Sequence, residues 1–253
     1  MIKLRSYLLV AVLVYLITLL AFLPASIAVK PLEQSLGDRF RVTASTGTFW
    51  AGRAVFNLDS NKGELIWDID IARLLMLQLA ANVQFKAKPI TTSFYLQYGL
   101  GGIVIKNLKG VFYARALSTL LEQNGVSASF DEDVYLQDIG LERANNRFSA
   151  AQGKLEWAGG VVRGKQLPDK QISLPAMDAQ ISSVDNGLSI KVHEKETAGV
   201  LAEVDLSHEG QAHLKLRERL ADYVSIPAQL KVGNPDNVMF EIKQQVFQSN
   251  GKF

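Results

Sequence analysis

The sequence predicts a mainly β protein: a single N-terminal transmembrane helix, then a curled, largely antiparallel β-sheet domain, half-barrel or sandwich-like, with few short helices. Three observations predict it. The 24 residues from Ser6 to Val29 carry no charge and are almost wholly apolar. Beyond them, apolar and polar residues alternate with period two through most of the chain, the pattern of strands with one buried face. Turn-forming groups such as Asp185-Asn186-Gly187, His208-Glu209-Gly210 and Gly233-Asn234-Pro235-Asp236 separate these runs in the manner of a meander.

At ~1.5 Å per residue, the run from Ser6 to Val29 covers ~36 Å and the part before Pro24 alone ~25 Å, against a hydrocarbon core of ~30 Å. Tyr7, Leu8, Leu9, Val10, Leu13, Tyr15, Leu16, Leu19, Leu20, Phe22 and Leu23 are the expected membrane-anchoring side chains. Lys3 and Arg5 precede the run, and such residues favour the cytoplasmic side, although Lys30, Arg39 and Arg41 follow it and leave the asymmetry modest. The expected layout is a short cytoplasmic N-terminus (1–5), a transmembrane helix (6–29), a helical connector (30–40) and a β-rich domain outside the cytoplasm (41–253). Ser26-Ile27-Ala28 resembles a cleavage site, so a cleaved signal peptide is the alternative fate. The run exceeds the ~7 to 15 residues of an h-region, which favours an uncleaved anchor.

The rest of the 253 residues suffices for one substantial domain, with no compositional break arguing for two. Apolar residues make up 48% and charged residues 21%, the balance of a folding chain rather than a disordered one. A net charge of +2, with no long Lys/Arg run beyond the N-terminus, gives no basis for a nucleic-acid partner. The absence of cysteine removes disulfides, thiol nucleophiles and zinc-thiolate sites together.

Taken in order, Leu32, Leu36 and Phe40 recur every four residues and predict a short amphipathic helix, weakened at Gly37. Arg41 to Asp59 reads as a bent or bulged strand, interrupted by glycine at 47 and 52, with Ala54, Phe56 and Leu58 in phase. A strand through Leu65–Ile69 follows the turn at Ser60–Gly63. Ile71 to Met76 suits a helical turn or a loop. Leu77, Leu79, Ala81, Val83, Phe85 and Ala87 share one phase of a long strand, which pairs with Thr91–Tyr98 across Lys88-Pro89. Strands are expected at Ile103–Leu108 and Val111–Ala114, and a short helix at Leu117–Asn124 stopped by Gly125. Val134–Leu141 and Gly153–Val161 read as strands and Gly164–Pro175 as a loop. Four regular alternating runs then follow, around Ile190/Val192, Val200–Leu206, Ala212–Leu216 and Val238–Ile242. About ten to thirteen strands result, forming sheet whose apolar face needs a cover.

Gly47-Thr48-Phe49-Trp50-Ala51-Gly52 and Gly153-Lys154-Leu155-Glu156-Trp157-Ala158-Gly159 both place Gly, an aromatic, Ala and Gly in order, and Gly110-Val111-Phe112-Tyr113-Ala114 is a poorer copy. By physics alone, these segments say that strands bend where small residues let aromatics pack. As a pattern on one chain, an N-terminal anchor followed by G-T-F-W-A-G-R-A, then G-E-L-I-W-D-I and G-K-L-E-W-A-G-G, resembles the protein N family of the bacterial type II secretion system. The residues carrying it are Gly47, Phe49, Trp50, Gly52, Arg53, Gly63, Trp67, Gly153, Trp157 and Gly159. The resemblance implies a bitopic inner-membrane protein with a periplasmic β-rich domain, an accessory of the export apparatus without known enzymatic activity. Its partners would be the membrane and other inner-membrane secretion proteins. A more distant, fold-level similarity to AsmA-like envelope proteins adds lipid as an alternative partner.

Catalytic signatures are missing. There is no Gly-x-Ser-x-Gly, His-Glu-x-x-His or Walker lysine loop. His193, His208 and His213 lie on polar phases or in a turn, without ligand spacing even with Glu194 or Glu209 added, and read as solvated. Asp131-Glu132-Asp133 lacks calcium-loop spacing and reads as a solvated turn with capping potential. Leu216 to Arg219 reads as a charged strand end. No catalytic, cofactor or metal residues are therefore expected.

Overall fold

The computed structural model describes residues 2–37, 40–58, 61–87, 90–115, 118–119, 128–145, 147–164, 171–197, 199–223 and 234–246. Sixteen strands lie among them, more than the expected ten to thirteen. The chain divides into two compact units, Met1–Lys88 and Pro89–Phe253.

The first unit starts with helices α1 (Ile2–Ala21) and α2 (Ser26–Leu36). The uncharged run expected as one helix over 6–29 is thus divided, and α2 begins before the expected connector. Pro24 is the reason: it lacks the N–H that a continuing helix would donate to the carbonyl of Leu20. Pro24 instead forms an isolated bridge with Thr48. The uncharged part of α1, Ser6–Ala21, covers ~24 Å at ~1.5 Å per residue. Among the described residues no helix is long and apolar enough to cross a membrane.

A four-strand antiparallel meander follows: β1 (Phe40–Gly47), β2 (Ala51–Leu58), β3 (Asn61–Ile69) and β4 (Leu79–Ala87). The stretch expected as one bent strand is a hairpin, because Gly47 takes a left-handed φ of 90° and the Thr48 N–H closes onto the Ala51 carbonyl at 2.9 Å. Pairing of Phe56 with Gly63, Ala54 with Leu65 and Gly52 with Trp67 puts one apolar row across β2 and β3. Phe56 stacks between Phe40 and Phe85 at 4.8 and 5.2 Å, and its ring fills the place a Cβ at Gly63 would take. Ala25, just before α2, and Val29 within it cover Ala54 and Trp67 on the same face. Glu33 fastens that cover by accepting the Val42 N–H at 2.7 Å. Between β3 and β4, Asp70 caps a single turn, α3 (Ile71–Leu74), through the Ala72 N–H.

In the second unit the main strand order is β5 (Ile90–Gly99), β6 (Gly102–Phe112), β8 (Val134–Ala144), β9 (Arg147–Trp157), β12 (Met177–Val184), β13 (Gly187–Glu194), β14 (Val200–Ser207), β15 (Gln211–Arg217) and β16 (Val238–Gln245). A small sheet, β11 (Gln171–Leu174), β10 (Gly160–Gly164) and β7 (Ala128–Phe130), stands apart from it. Every described pairing in both units is antiparallel. The two strands expected over 103–114 are one, β6, with register shifts around Asn107, and part of the expected loop 164–175 is β11. Of the helix expected at Leu117–Asn124, only Ser118 and Thr119 are described, and both are helical.

Strands β13 to β16 separate two faces cleanly. Ile190, Val204, Leu214 and Ile242 make one cross-strand row, and Val192, Ala202, Leu216 and Phe240 the next. On the other face Lys191, Glu203, Lys215 and Glu241 stand opposite one another in alternating sign. That charged row satisfies itself: Glu203 meets Lys191, Lys215 and Arg217, and Lys215 also reaches Asp205 at 2.8 Å.

Candidate functional site

The residues singled out by sequence fall into two clusters, one per unit. In the first, Gly47 to Gly52 forms the β1–β2 turn and holds the end of α1. The Trp50 indole N–H donates to the Leu20 carbonyl at 2.7 Å, in the place of the donor that Pro24 lacks. The same carbonyl also receives a longer bond, 3.3 Å, from the Leu23 N–H. The Phe49 N–H donates to the Leu23 carbonyl at 2.7 Å, and the Ala25 N–H to the Gly47 carbonyl at 3.2 Å. Trp67 braces this turn from beneath, its indole N–H donating to the Phe49 carbonyl at 2.8 Å. A Cβ at Gly52 would overlap the Trp67 ring, so glycine is what allows the indole to pass under the turn. Phe49 and Trp50 pack edge to face at 5.0 Å, and Arg53 pairs with Glu64 across β2 and β3.

The helix so held is apolar on all sides. Tyr7, Leu8, Val10, Tyr15, Leu16, Leu19, Leu20 and Phe22 are all exposed, and Leu23 leads into the Pro24 bridge. Leu9 and Leu13 belong to the same helix. A helix hydrophobic all round is normally a buried one or a membrane span.

The second cluster gathers around Trp157, at the end of β9, with Gly153 inside that strand and Gly159 just beyond it. The Trp157 indole N–H donates to the Glu132 carbonyl at 3.0 Å and the ring meets Phe130 edge to face. The acidic turn is occupied by structural tasks. Asp131 is paired with Arg163, which is raised above its ordinary value by that bond, and Asp133 accepts the Ala114 N–H at 2.7 Å. The capping potential of this turn is thus used on backbone distant in sequence. An apolar hollow of about 240 Å³ opens here, lined by Phe130, Val134, Leu155, Trp157, Met177 and Val192. A larger hollow of about 520 Å³ mixes apolar side chains such as Leu188 and Leu206 with Asp185, Asp205 and His213.

The histidines do not converge. His208 is less solvated than its turn position suggests: its Nδ1 accepts the Phe148 N–H at 3.0 Å, its Nε2 lies 3.3 Å from the Asp185 carbonyl, and the ring stacks on Phe148. His213 is beside Glu241 at 2.5 Å, and His193 lies in β13 opposite Val200. No group of three or more His, Asp or Glu able to hold a metal exists among the described residues.

One strongly coupled polar pair escaped sequence reasoning. Buried Glu194 at the end of β13 accepts the Thr197 hydroxyl and, at 2.6 Å, the Tyr223 hydroxyl. These two bonds hold its carboxyl below the ordinary range against the opposing effect of burial, with Arg219 helping. Tyr223 is pushed up to about 12, chiefly by the same bond. Both carboxylate oxygens are taken, so the pair fastens the 3₁₀ turn Glu218–Asp222 to β13 rather than offering a base. Its only sequence signal was a glutamate where β13 turns back. Asp205 behaves alike: burial pushes it up, and bonds from Lys215 and Ser189 outweigh that and leave it below its ordinary value.

The geometry defines a β-sheet protein whose distinctive residues join one apolar helix to a meander. The chain belongs to the type II secretion system (T2SS) protein N family, whose model matches residues 38–232. Membership ties it to type II secretion. No curated protein and no solved structure matches the chain at a significant level.

Proposed function

We propose that the chain is an accessory inner-membrane component of the type II secretion system that acts by binding and assembly, not catalysis. The observation that carries this is the Trp50–Leu20 bond: the Gly47–Gly52 segment is spent on fixing the first unit's meander to the end of an exposed apolar helix. At ~1.5 Å per residue α1, Ile2–Ala21, whose sequence places Lys3 and Arg5 ahead of the apolar run, covers ~30 Å and anchors the chain in the bilayer. The positive pair stays cytoplasmic, and the β units lie in the periplasm. Confinement to a surface raises the effective concentration of other secretion proteins, so individual contacts can be weak.

The test is a deletion strain complemented with the full chain. Restored export of folded periplasmic substrates, retention in carbonate-washed membranes and crosslinks to the inner-membrane machinery are expected. Normal secretion in the deletion strain, with the machinery assembled and no crosslinks, overturns the reading. The apolar hollow beside Trp157 favours a second one, AsmA-like lipid handling. At about 240 Å³ it is smaller than the ~300 to 1,000 Å³ usual for a small-molecule site, so it suits part of an acyl chain rather than a whole lipid. Ala179 also lines the hollow, and lipid extracted with the purified chain, and lost on Ala179→Trp, is the result that favours it.

A further inference from the structure

The segment between β3 and β4 is unusual for a turn. Ile71, Leu75, Met76, Leu77 and Leu79 are all exposed, and the tip residues Leu75, Met76 and Leu77 are 87%, 68% and 77% exposed. Such a contiguous apolar tip on a protein surface marks a contact with another apolar phase. It is also a built tip. The Met76 and Gln78 N–H groups donate to the Arg73 carbonyl at 3.0 and 3.1 Å, and the Leu77 N–H to that of Leu74 at 2.9 Å. Leu77 takes a left-handed φ of 58°, a conformation that leucine rarely adopts, as part of this turn. Backbone groups paired within the turn are what entry into an apolar layer requires, since lipid supplies no partner for them.

The position of the tip is fixed by Trp50. While the Trp50 indole holds the Leu20 carbonyl at the end of α1, the Trp50 carbonyl accepts the Ile69 N–H at 2.6 Å. Ile69 ends β3, and the Asp70 N–H bonds to the Ala80 carbonyl across the neck of the segment. The end of α1 and the neck of the apolar tip therefore meet on one residue, at one end of the meander. Arg73, at the neck and braced by Asp70 and Gln78, is a cation at headgroup level if the tip enters lipid.

We propose that Ile71–Leu79 is a second membrane contact, inserting Leu75, Met76 and Leu77 into the leaflet from which α1 emerges. This rests on the reading of α1 as the anchor. Two attachments, a helix and a tip on one rigid neck, set the tilt of the first unit on the bilayer, which a helix alone leaves free.

The chain has no native cysteine, so single-site labelling is clean. Full-length Met76→Cys, Leu13→Cys and Asn61→Cys, each carrying an environment-sensitive fluorophore, are reconstituted in phosphatidylethanolamine/phosphatidylglycerol vesicles containing spin-labelled lipids. The expected result is deep quenching at position 13, blue-shifted emission with shallow quenching at position 76, and aqueous emission at position 61, at the opposite end of the β2–β3 hairpin. Adding Leu75→Asp and Leu77→Asp returns position 76 to aqueous emission while position 13 stays quenched. Quenching at 13 with none at 76 overturns the proposal and leaves the anchor standing. A blue shift at 76 without lipid quenching assigns the tip to a second copy of the chain and also overturns it. No quenching at 13 removes the anchor reading, and this inference with it.

Discussion

Gly52→Ala tests the brace under the α1 clamp most directly. The added methyl overlaps the Trp67 ring, which has nowhere to go: its indole N–H is held by the Phe49 carbonyl at 2.8 Å, and Ala25, Val29 and Ala54 pack around it. Overpacking of this kind costs about 1–3 kcal/mol. Displacing the ring also weakens the indole bond, a net loss of about 1 kcal/mol. The sum is about 2–4 kcal/mol for the first unit, which at a urea slope of about 2 kcal/mol/M lowers the midpoint by roughly 1–2 M. Urea unfolding followed by tryptophan fluorescence reads it, since Trp50 and Trp67 both report on this unit. Gly101→Ala is the control, because a Cβ there meets nothing within 4 Å. Trp67→Phe in the Gly52→Ala background removes the colliding atoms, so the double variant is expected to lose about 1–2 kcal/mol less than the two single losses added together. Equal midpoints for Gly52→Ala and Gly101→Ala, or strict additivity in the double variant, would refute the close approach of turn and indole.

Three further outcomes are expected. Trp50→Phe keeps a ring but removes the donor to Leu20, so amide exchange at Ala25 and Phe49 accelerates about fivefold, the equivalent of about 1 kcal/mol, while β13–β15 amides are unchanged. In an ultraviolet titration, Tyr223 ionises at about 12 and returns toward 10.0 on Glu194→Ala. Its folded value lies above the unfolded one, so the stability it lends is full below 10.0 and is lost as pH rises toward about 12. Glu194 runs the other way: its folded value is depressed, so its contribution is full above the ordinary glutamate value of 4.5 and is lost as pH falls below that. Glu203→Ala, which strips three cations of a shared partner on a half-buried face, costs about 1–2 kcal/mol, whereas Lys109→Ala in the exposed pair with Asp138 costs less than about 0.5 kcal/mol. Equal urea midpoints for the two would refute the distinction.

Where period-two alternation was long and one-sided, the sequence described the fold closely. Ala54 and Phe56 share a phase, and both are buried. Alternation failed where a single residue reset it. Asn107, with a φ of 53°, lies in the irregular stretch of β6, and from the sequence this looks like the end of one strand and the start of another. Gln171–Leu174 alternates too, but four residues are too few to separate from a polar loop. Leu77 sits in phase with Leu79 yet lies in the turn, because phase does not report φ. The Gly47–Gly52 segment was legible as a pattern and not as a device. Its bonds join positions 20 to 25 with 47 to 50, and the only local sign was a proline four residues after Leu20, which withholds a donor without naming its replacement.

The charged face of the second unit has an effect separate from stability. On that face β13 carries Lys191 and His193, β14 Glu203 and Asp205, and β15 His213, Lys215 and Arg217. The acidic strand β14 thus lies between two basic ones, β13 and β15, and meets the opposite sign on both sides. A slip of two residues still brings acid against base, so the ladder leaves alignment to the hairpin turns at Asn186-Gly187 and Glu209-Gly210. What it forbids is substitution: β13 set beside β15, or β14 beside the β14 of another copy, lines up like charges. The pattern works as an address written on each strand, keeping a long meander in its own sequence while it assembles and refusing strands from identical neighbours.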